Sequence, residues 1–366
     1  MPRLLGYLTA FVALAILALT ASLATACTGI RIAAEDGSVI YARTLEFAAP
    51  LDSQILFLPR NYELVGTTAS GRPGLTWQAK FAAVGLNGEG FDLLIDGVNE
   101  QGLAAGGFYF PGYAEYQSTL PDEESKAIAP WELVTWILTN FSTVDEVREA
   151  LSTIRVAAVP VDQHQGVPPL HFVTHDAIGN SLVIEYVDGK LTTFDNPLGV
   201  VTNSPTFDWH TTNLRNYINL TATNVPPVDL HGLKLDQLGQ GSGLRGLPGD
   251  FTPPSRFVRA VALSQATLPG ATGAESVRNA FHILDSFDIP RGVVRPDEAT
   301  HEPFECTQWT SACDLKARKY YFHTYGNRRV RAVSLAQFDP NSTRPITIPT
   351  TQDDGIENLV PPAQSE

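Results

Sequence analysis

Three cysteines in 366 residues are too few for a disulfide scaffold. Basic residues are scarce as well. Lys and Arg total 25 against 39 Asp and Glu, a formal charge of −14, and no basic cluster stands out. Nucleic acid is therefore excluded as a partner, since phosphates demand concentrated positive charge. An anionic surface favours solubility and names no partner. The composition, 43% hydrophobic and 17% charged, excludes a mainly disordered or collagen-like chain. No internal repeat is visible, and only one long apolar run exists. No metal set is present either: His171 and His175 lie four apart on a strand stretch without a carboxylate or Cys to complete it. They read as ordinary surface or core residues, and no cofactor is expected.

What is present starts at the N-terminus. Arg3, the apolar stretch Leu4 to Leu23 and the small-x-small sequence Ala24-Thr25-Ala26 form an export signal. Residues 1–26 are read as cleaved, which leaves a chain without a membrane segment, periplasmic or secreted. An uncleaved anchor is the alternative, because about 20 apolar residues can span a bilayer. Cleavage makes Cys27 the first residue, and two readings follow. One is a lipoprotein anchored through the Cys27 sulfur, although Ala24 stands where such signals normally carry Leu. The other is an N-terminal nucleophile whose own α-amine, with a pKa of about 7.7–8.0, serves as its base.

The length exceeds the usual ~100–200 residues of one domain, so two domains or one large layered domain are expected. Thr28–Ile32 alternates in period two, Asp36-Gly37 makes a turn, and Val39–Tyr41 resumes an extended run. Further strands are expected at 93–98, 171–174, 181–186 and 190–194, with a last hairpin around Gly326-Asn327. Helices are expected over 130–154 with a cap at Ser142-Thr143, over 255–268 with Ser255 near its N-cap, and over 274–287. Strands and helices in blocks argue for α+β layers. The Gly- and Pro-rich loops 160–169 and 236–254 are candidates to border a pocket. Thr351–Glu366 reads as a flexible tail. Cys306 and Cys313 are candidates for a small-loop disulfide in an exported chain, with two separate thiols as the alternative. Neither sits in a papain-type motif.

An N-terminal thiol needs its amine held, its proton removed and an oxyanion bound. Arg43-Thr44-Leu45-Glu46 places a cation and a carboxylate three apart, within reach of Cys27 across a hairpin. From here the chain resembles the choloylglycine hydrolases, which include conjugated bile salt hydrolases and penicillin V acylases. The resemblance spans nearly all of the chain after Ala26. It rests on Cys27-Thr28-Gly29, Arg43-Thr44-Leu45-Glu46, Asn99-Glu100-Gln101-Gly102-Leu103 and Phe110-Pro111-Gly112-Tyr113. Thr202-Asn203-Ser204-Pro205-Thr206-Phe207-Asp208, Asn213–Tyr217 and Pro254-Ser255-Arg256-Phe257-Val258-Arg259 follow in order.

The resemblance implies one N-terminal nucleophile amidase domain over residues 27–350. Its implied fold is a four-layer αββα sandwich, often assembled as a homotetramer. It implies Cys27 as nucleophile, Arg43 beside the thiol, Asn203 at the oxyanion and Arg256 as a second active-site arginine. Glu46 stands where the family has Asp to hold the α-amine. Tyr109 stands where bile salt hydrolases have Asn and some penicillin V acylases have Tyr, and its backbone N–H is the second oxyanion donor. The implied reaction is hydrolysis of a linear amide through a thioester. Tyr109 tilts the substrate towards penicillin V and similar aryl- or acyl-amides, with conjugated bile salts and N-acyl homoserine lactones as alternatives. Phe47, Leu51, Tyr109, Phe110 and Tyr113 are the expected apolar pocket.

Overall fold

In the computed structural model, residues 26–161, 166–295, 304–350, 355–357 and 359 are described. The segment 1–26 read as an export signal, apart from Ala26, and most of the segment 351–366 read as a tail lie outside them. Strands β1 (Thr28–Ala33) and β2 (Val39–Phe47) form the expected hairpin, closed by Gly37 at φ 80°. The next four long strands are β3 (Gln54–Leu58), β4 (Ala83–Asn87), β5 (Leu94–Asn99) and β6 (Ala104–Tyr109), with a short separate pair, Glu63–Val65 and Thr76–Gln78, between the first two. The expected meander is β7 (Leu170–His175), β8 (Ser181–Val187) and β9 (Lys190–Asp195). Near the end come β10 (Cys306–Asp314), β11 (Lys319–Thr324), β12 (Asn327–Ser334) and β13 (Ile346–Pro349).

Two sheets result. One has the order β1-β2-β10-β11-β12, the other β9-β8-β7-β6-β5-β4-β3-β13. Alternation along the eight-stranded sheet divides its side chains between two cores. Ile55, Phe57, Val84, Val173 and Val183 face the five-stranded sheet, with Tyr41, Leu45 and Trp309 opposite, while Ile30, Ile40, Ala42 and Ala312 lie on that sheet's other face. Leu56, Leu58, Ala83, Phe172 and Leu182 point the other way, onto helices α1 (Leu133–Asn140) and α2 (Val144–Ala150). After the short helix α3 (Phe207–Asn213), two helices, α4 (Pro253–Ala266) and α5 (Gly273–Leu284), cover the outer face of the five-stranded sheet. Along α5, Val277, Ala280, Phe281 and Leu284 are buried at helical spacing. The layers are therefore α, β, β, α, as expected.

Thr143 caps α2 by accepting the Glu146 N–H, as its sequence suggested. The cap of α4 is Thr252, not Ser255. Pro253 and Pro254 fall inside the first turn, where their missing N–H groups cost nothing.

The disulfide expectation is corrected. Cys306 and Cys313 are free thiols at opposite ends of β10, opposite Phe47 and Tyr41 of β2. Seven strand steps of about 3.3 Å separate them, whereas a disulfide needs Cα atoms within about 7 Å.

Candidate active site

The site is built where the start of β1, the end of β2 and a segment at 201–203 meet. Gly29 exchanges two backbone hydrogen bonds with Val201, at 2.8 and 3.0 Å. A Cβ on Gly29 would lie 2.8 Å from the Phe108 ring and 2.9 Å from Val201 Cγ1, so only glycine permits this approach. The bridge carries Asn203 to Cys27, whose backbone N–H donates to Asn203 Oδ1 at 2.8 Å. Arg256 of α4 closes the group. Its Nη2 donates to the same Asn203 Oδ1 at 2.6 Å, its Nη1 to Thr28 Oγ1 at 2.9 Å and to the Cys27 carbonyl.

Register places the remaining charges. Arg43 sits on β2 opposite Gly29 on one side and Ser311 on the other. Its Nε donates to the Thr44 carbonyl at 3.2 Å, and its Nη1 donates to the Gly107 carbonyl. The guanidinium lies 4.1 Å from the Phe108 ring centre, and its buried Nη2 has no hydrogen-bond partner. Glu46 lies opposite Thr307. The Thr307 hydroxyl donates to its Oε1 at 2.7 Å and the Thr44 hydroxyl to its Oε2 at 3.1 Å. Glu46 thus takes two threonine hydroxyls, and the Cys27 peptide nitrogen donates to Asn203.

Burial dominates the electrostatics. Cys27 is only 4% exposed. Burial pushes its thiol up, against the pull of Arg43, of the Glu46 backbone N–H and of Arg256; the Glu46 carboxylate adds to the rise. Burial also pushes Glu46 up to about 8, opposed first by Arg256 and then by the two hydroxyls. A protonated thiol in this setting is a poor nucleophile until a base removes its proton.

A cavity of about 370 Å³ opens from the thiol. Cys27, Arg43 and Glu46 form its polar end. Its walls are mostly apolar, with Leu45, Phe47, Leu51, Tyr109, Trp131 and Phe172 among them. Phe110 and Tyr113 are not in that wall. Phe110 is fully buried and stacks at 4.4 Å on His171, and Tyr113 packs on Phe110 while 42% exposed. Of the two loops proposed as borders, the first contributes Val161 and Pro168, and residues 162–165 lie outside the described set. The second does not line the cavity; its Pro248 and Asp250 carbonyls instead accept from Arg259 of α4.

Sequence reasoning missed several residues here. His171 and His210 donate from Nε2 to the consecutive carbonyls of Thr202 and Asn203, each at 2.9 Å, and so fix the peptide that carries Asn203. Glu185 supports them by facing His171 Nδ1 and accepting the Phe207 N–H. Glu305, just ahead of β10, is buried beside Ala26 and Arg256. Spacing marked His171 only as half of an incomplete metal pair with His175 and marked none of the others; His171, Glu185 and Glu305 reach the site through contacts between segments distant in sequence. His175 is buried against Tyr41, and no metal-binding cluster occurs among the described residues.

Residues 27–348 match the model of the linear amide C–N hydrolases, choloylglycine hydrolase family. The bile salt hydrolase/transferase of Clostridium perfringens is 37% identical over 310 residues, 84% of this chain and 92% of that protein. A penicillin V acylase of Pectobacterium atrosepticum is 28% identical, over 82% of this chain and 78% of its own. The crystal structure of a variant conjugated bile acid hydrolase from Clostridium perfringens superposes with a TM-score of 0.80. It is 32% identical, and the match covers 91% of this chain and all of that one.

Proposed function

The chain belongs to the choloylglycine hydrolase family of linear amide C–N hydrolases, and we propose that it works outside the cytoplasm through Cys27 as an N-terminal nucleophile. The observation that carries this reading is the convergence of Arg43, Asn203 and Arg256 on one buried cysteine at the polar end of an apolar cavity. Removal of residues 1–26 turns the Cys27 nitrogen from an amide, which has no basic lone pair, into an amine beside its own thiol.

That amine takes the thiol proton, and sulfur attacks the substrate carbonyl. The resulting oxyanion lies between Asn203 and the Tyr109 backbone N–H. One N–H of the Asn203 amide is occupied by the Tyr109 carbonyl at 2.7 Å, and the other serves the oxyanion. The ammonium then protonates the leaving nitrogen as the C–N bond breaks, which leaves a thioester on Cys27. Water, deprotonated by the same amine, attacks the thioester and releases the acid and the thiol.

The cavity supports one substrate class over others. Its wall selects an amide with a large apolar acyl group, and Tyr109 in that wall supports penicillin V or related aryl- and acyl-amides, N-acyl homoserine lactones included. A second reading, a conjugated bile salt, is supported by the 37% identity to a bile salt hydrolase/transferase. The test is the intact mass of protein recovered from an exporting host, then turnover of penicillin V, glycocholate and an acyl lactone. A mass starting at an unmodified Cys27 with turnover of one of these is expected. A diacylglycerol or acyl group on Cys27, or a retained leader, overturns the mechanism.

A further inference from the structure

We propose that Glu305 is a positioning residue for the Cys27 α-ammonium: it faces the Ala26 N–H while the leader is attached and pairs with the ammonium once Ala26 has left. This rests on the proposed cleavage after Ala26. Glu305 is 7% exposed, its carboxylate lies against the Ala26 backbone N–H, and its Oε1 has no hydrogen-bond partner. Arg256 acts on Glu305, Glu46 and Cys27 alike, which puts all four in one charge cluster.

The need for such a group comes from counting acceptors. An ammonium carries three N–H donors where the peptide nitrogen carries one. Asn203 Oδ1 takes one, and it is already shared with Arg256. Each oxygen of Glu46 already accepts one hydroxyl, from Thr307 or Thr44. Glu305 supplies a second acceptor, and the third N–H is left to the adjacent Cys27 sulfur. When Ala26 departs, this buried carboxylate loses the N–H it faces, and an unpaired buried charge is expensive. Consecutive Cα atoms are about 3.8 Å apart, so a carboxylate beside the Ala26 nitrogen lies within a side-chain rotation of the Cys27 nitrogen.

The titratable and charged groups facing the new amine are Cys27 itself, Arg43 and Glu46 of β2, Arg256 of α4, and Glu305. Removing one anion from that set makes the ammonium lose its proton more readily. The experiment follows alkylation of Cys27 by iodoacetamide against pH in full-length chains matured by an exporting host, read by peptide mass, with buried Cys306 and Cys313 as internal references. In Glu305→Gln the midpoint of the rate profile is expected to fall by about one pH unit, and Glu305→Asp is expected to restore it. Thermal melts accompany each variant. A lower melting temperature with an unmoved midpoint in Glu305→Gln overturns the proposal and leaves Glu305 as a neutraliser of Arg256. A leader retained in the parent chain overturns the cleavage mechanism and this proposal together. An unmoved midpoint on chains beginning at Cys27 overturns this proposal alone.

Discussion

The two faces of the eight-stranded sheet bury similar strands in opposite ways. Its outer face, under α1 and α2, is closed mainly by hydrocarbon, as at Leu56, Leu182, Ile137 and Val147. Glu132 is the buried acid there, and it is satisfied by the backbone N–H of Ala129 and by the N–H and hydroxyl of Thr67. The inner face also has a hydrocarbon body, yet at one end it holds Arg43, Arg256, Glu46 and Asp96, all nearly inaccessible. Ser311 and Tyr320 donate to Asp96, which sits near Arg43. Partners there are shared, and the charged groups keep unmet atoms, Arg43 Nη2 and Glu305 Oε1, along with the unmet Tyr41 hydroxyl. The outer face leaves the neutral Tyr186 hydroxyl unmet, whereas its acid Glu132 is satisfied. Buried charge kept in a partly satisfied state marks chemistry; satisfied charge marks stability.

Substitutions separate the two faces. Cys27→Ser is expected to remove turnover entirely, with an unfolding midpoint near that of the parent; an active serine variant would sink the nucleophile assignment. Asn203→Ala is expected to lower kcat by about 10²–10³, the usual loss for one oxyanion donor, read by steady-state kinetics on whichever amide proves to be the substrate. Ile137→Ala on the outer face inverts the pattern: about 2–5 kcal/mol of stability goes in urea unfolding while kcat per folded molecule stays put.

Smaller effects sharpen the contrast. Glu46 has a folded pKa of about 8 against an ordinary 4.5, so the native chain binds the extra proton more tightly than the unfolded one. Its contribution is fully present below pH 4.5 and is lost as pH rises through about 8. Glu46→Gln is therefore expected to flatten the fall of stability over that window in the leader-bearing chain. Glu46→Asp retains or raises activity if the carboxylate orients the amine. Smallest of all, reductant is expected to leave the melting temperature unchanged, and alkylation of the unfolded chain should modify all three cysteines.

Local signals made part of this legible from sequence. The β1–β2 turn, the β7–β9 meander and the β11–β12 hairpin announce themselves through alternation and turn residues. Strands β4 and β6 do not. Ala83–Asn87 and Ala104–Tyr109 are buried on both faces almost throughout, so period-two alternation is absent from their residues. Strand β10 hides for another reason. Its Thr307 and Ser311 read as solvent-facing polar residues, whereas they are buried to hold Glu46 and Asp96. The same blindness produced the disulfide expectation, because spacing alone does not tell a loop from one extended strand. Cys27, Arg43, Asn203 and Arg256 were found through motif resemblance. The groups that back them, Glu305, His171 and His210, carry no motif.

One irregularity has a consequence for divergence. Pairing between β2 and β10 slips at Gln308, an extra residue between Thr307 and Trp309. Its Nε2 donates to the Phe47 carbonyl at 3.0 Å and to the Ala49 carbonyl, and its Oε1 accepts the Leu51 N–H. Phe47 and Leu51 belong to the cavity wall, while the neighbouring Thr307 belongs to Glu46. A single slipped residue therefore puts the shape of the cavity wall and the setting of the acid under adjacent but separate control. Exchange at position 308 is expected to reshape that wall and leave Glu46 with its two hydroxyls, a route by which one hydrolase scaffold can diverge without rebuilding its reacting centre.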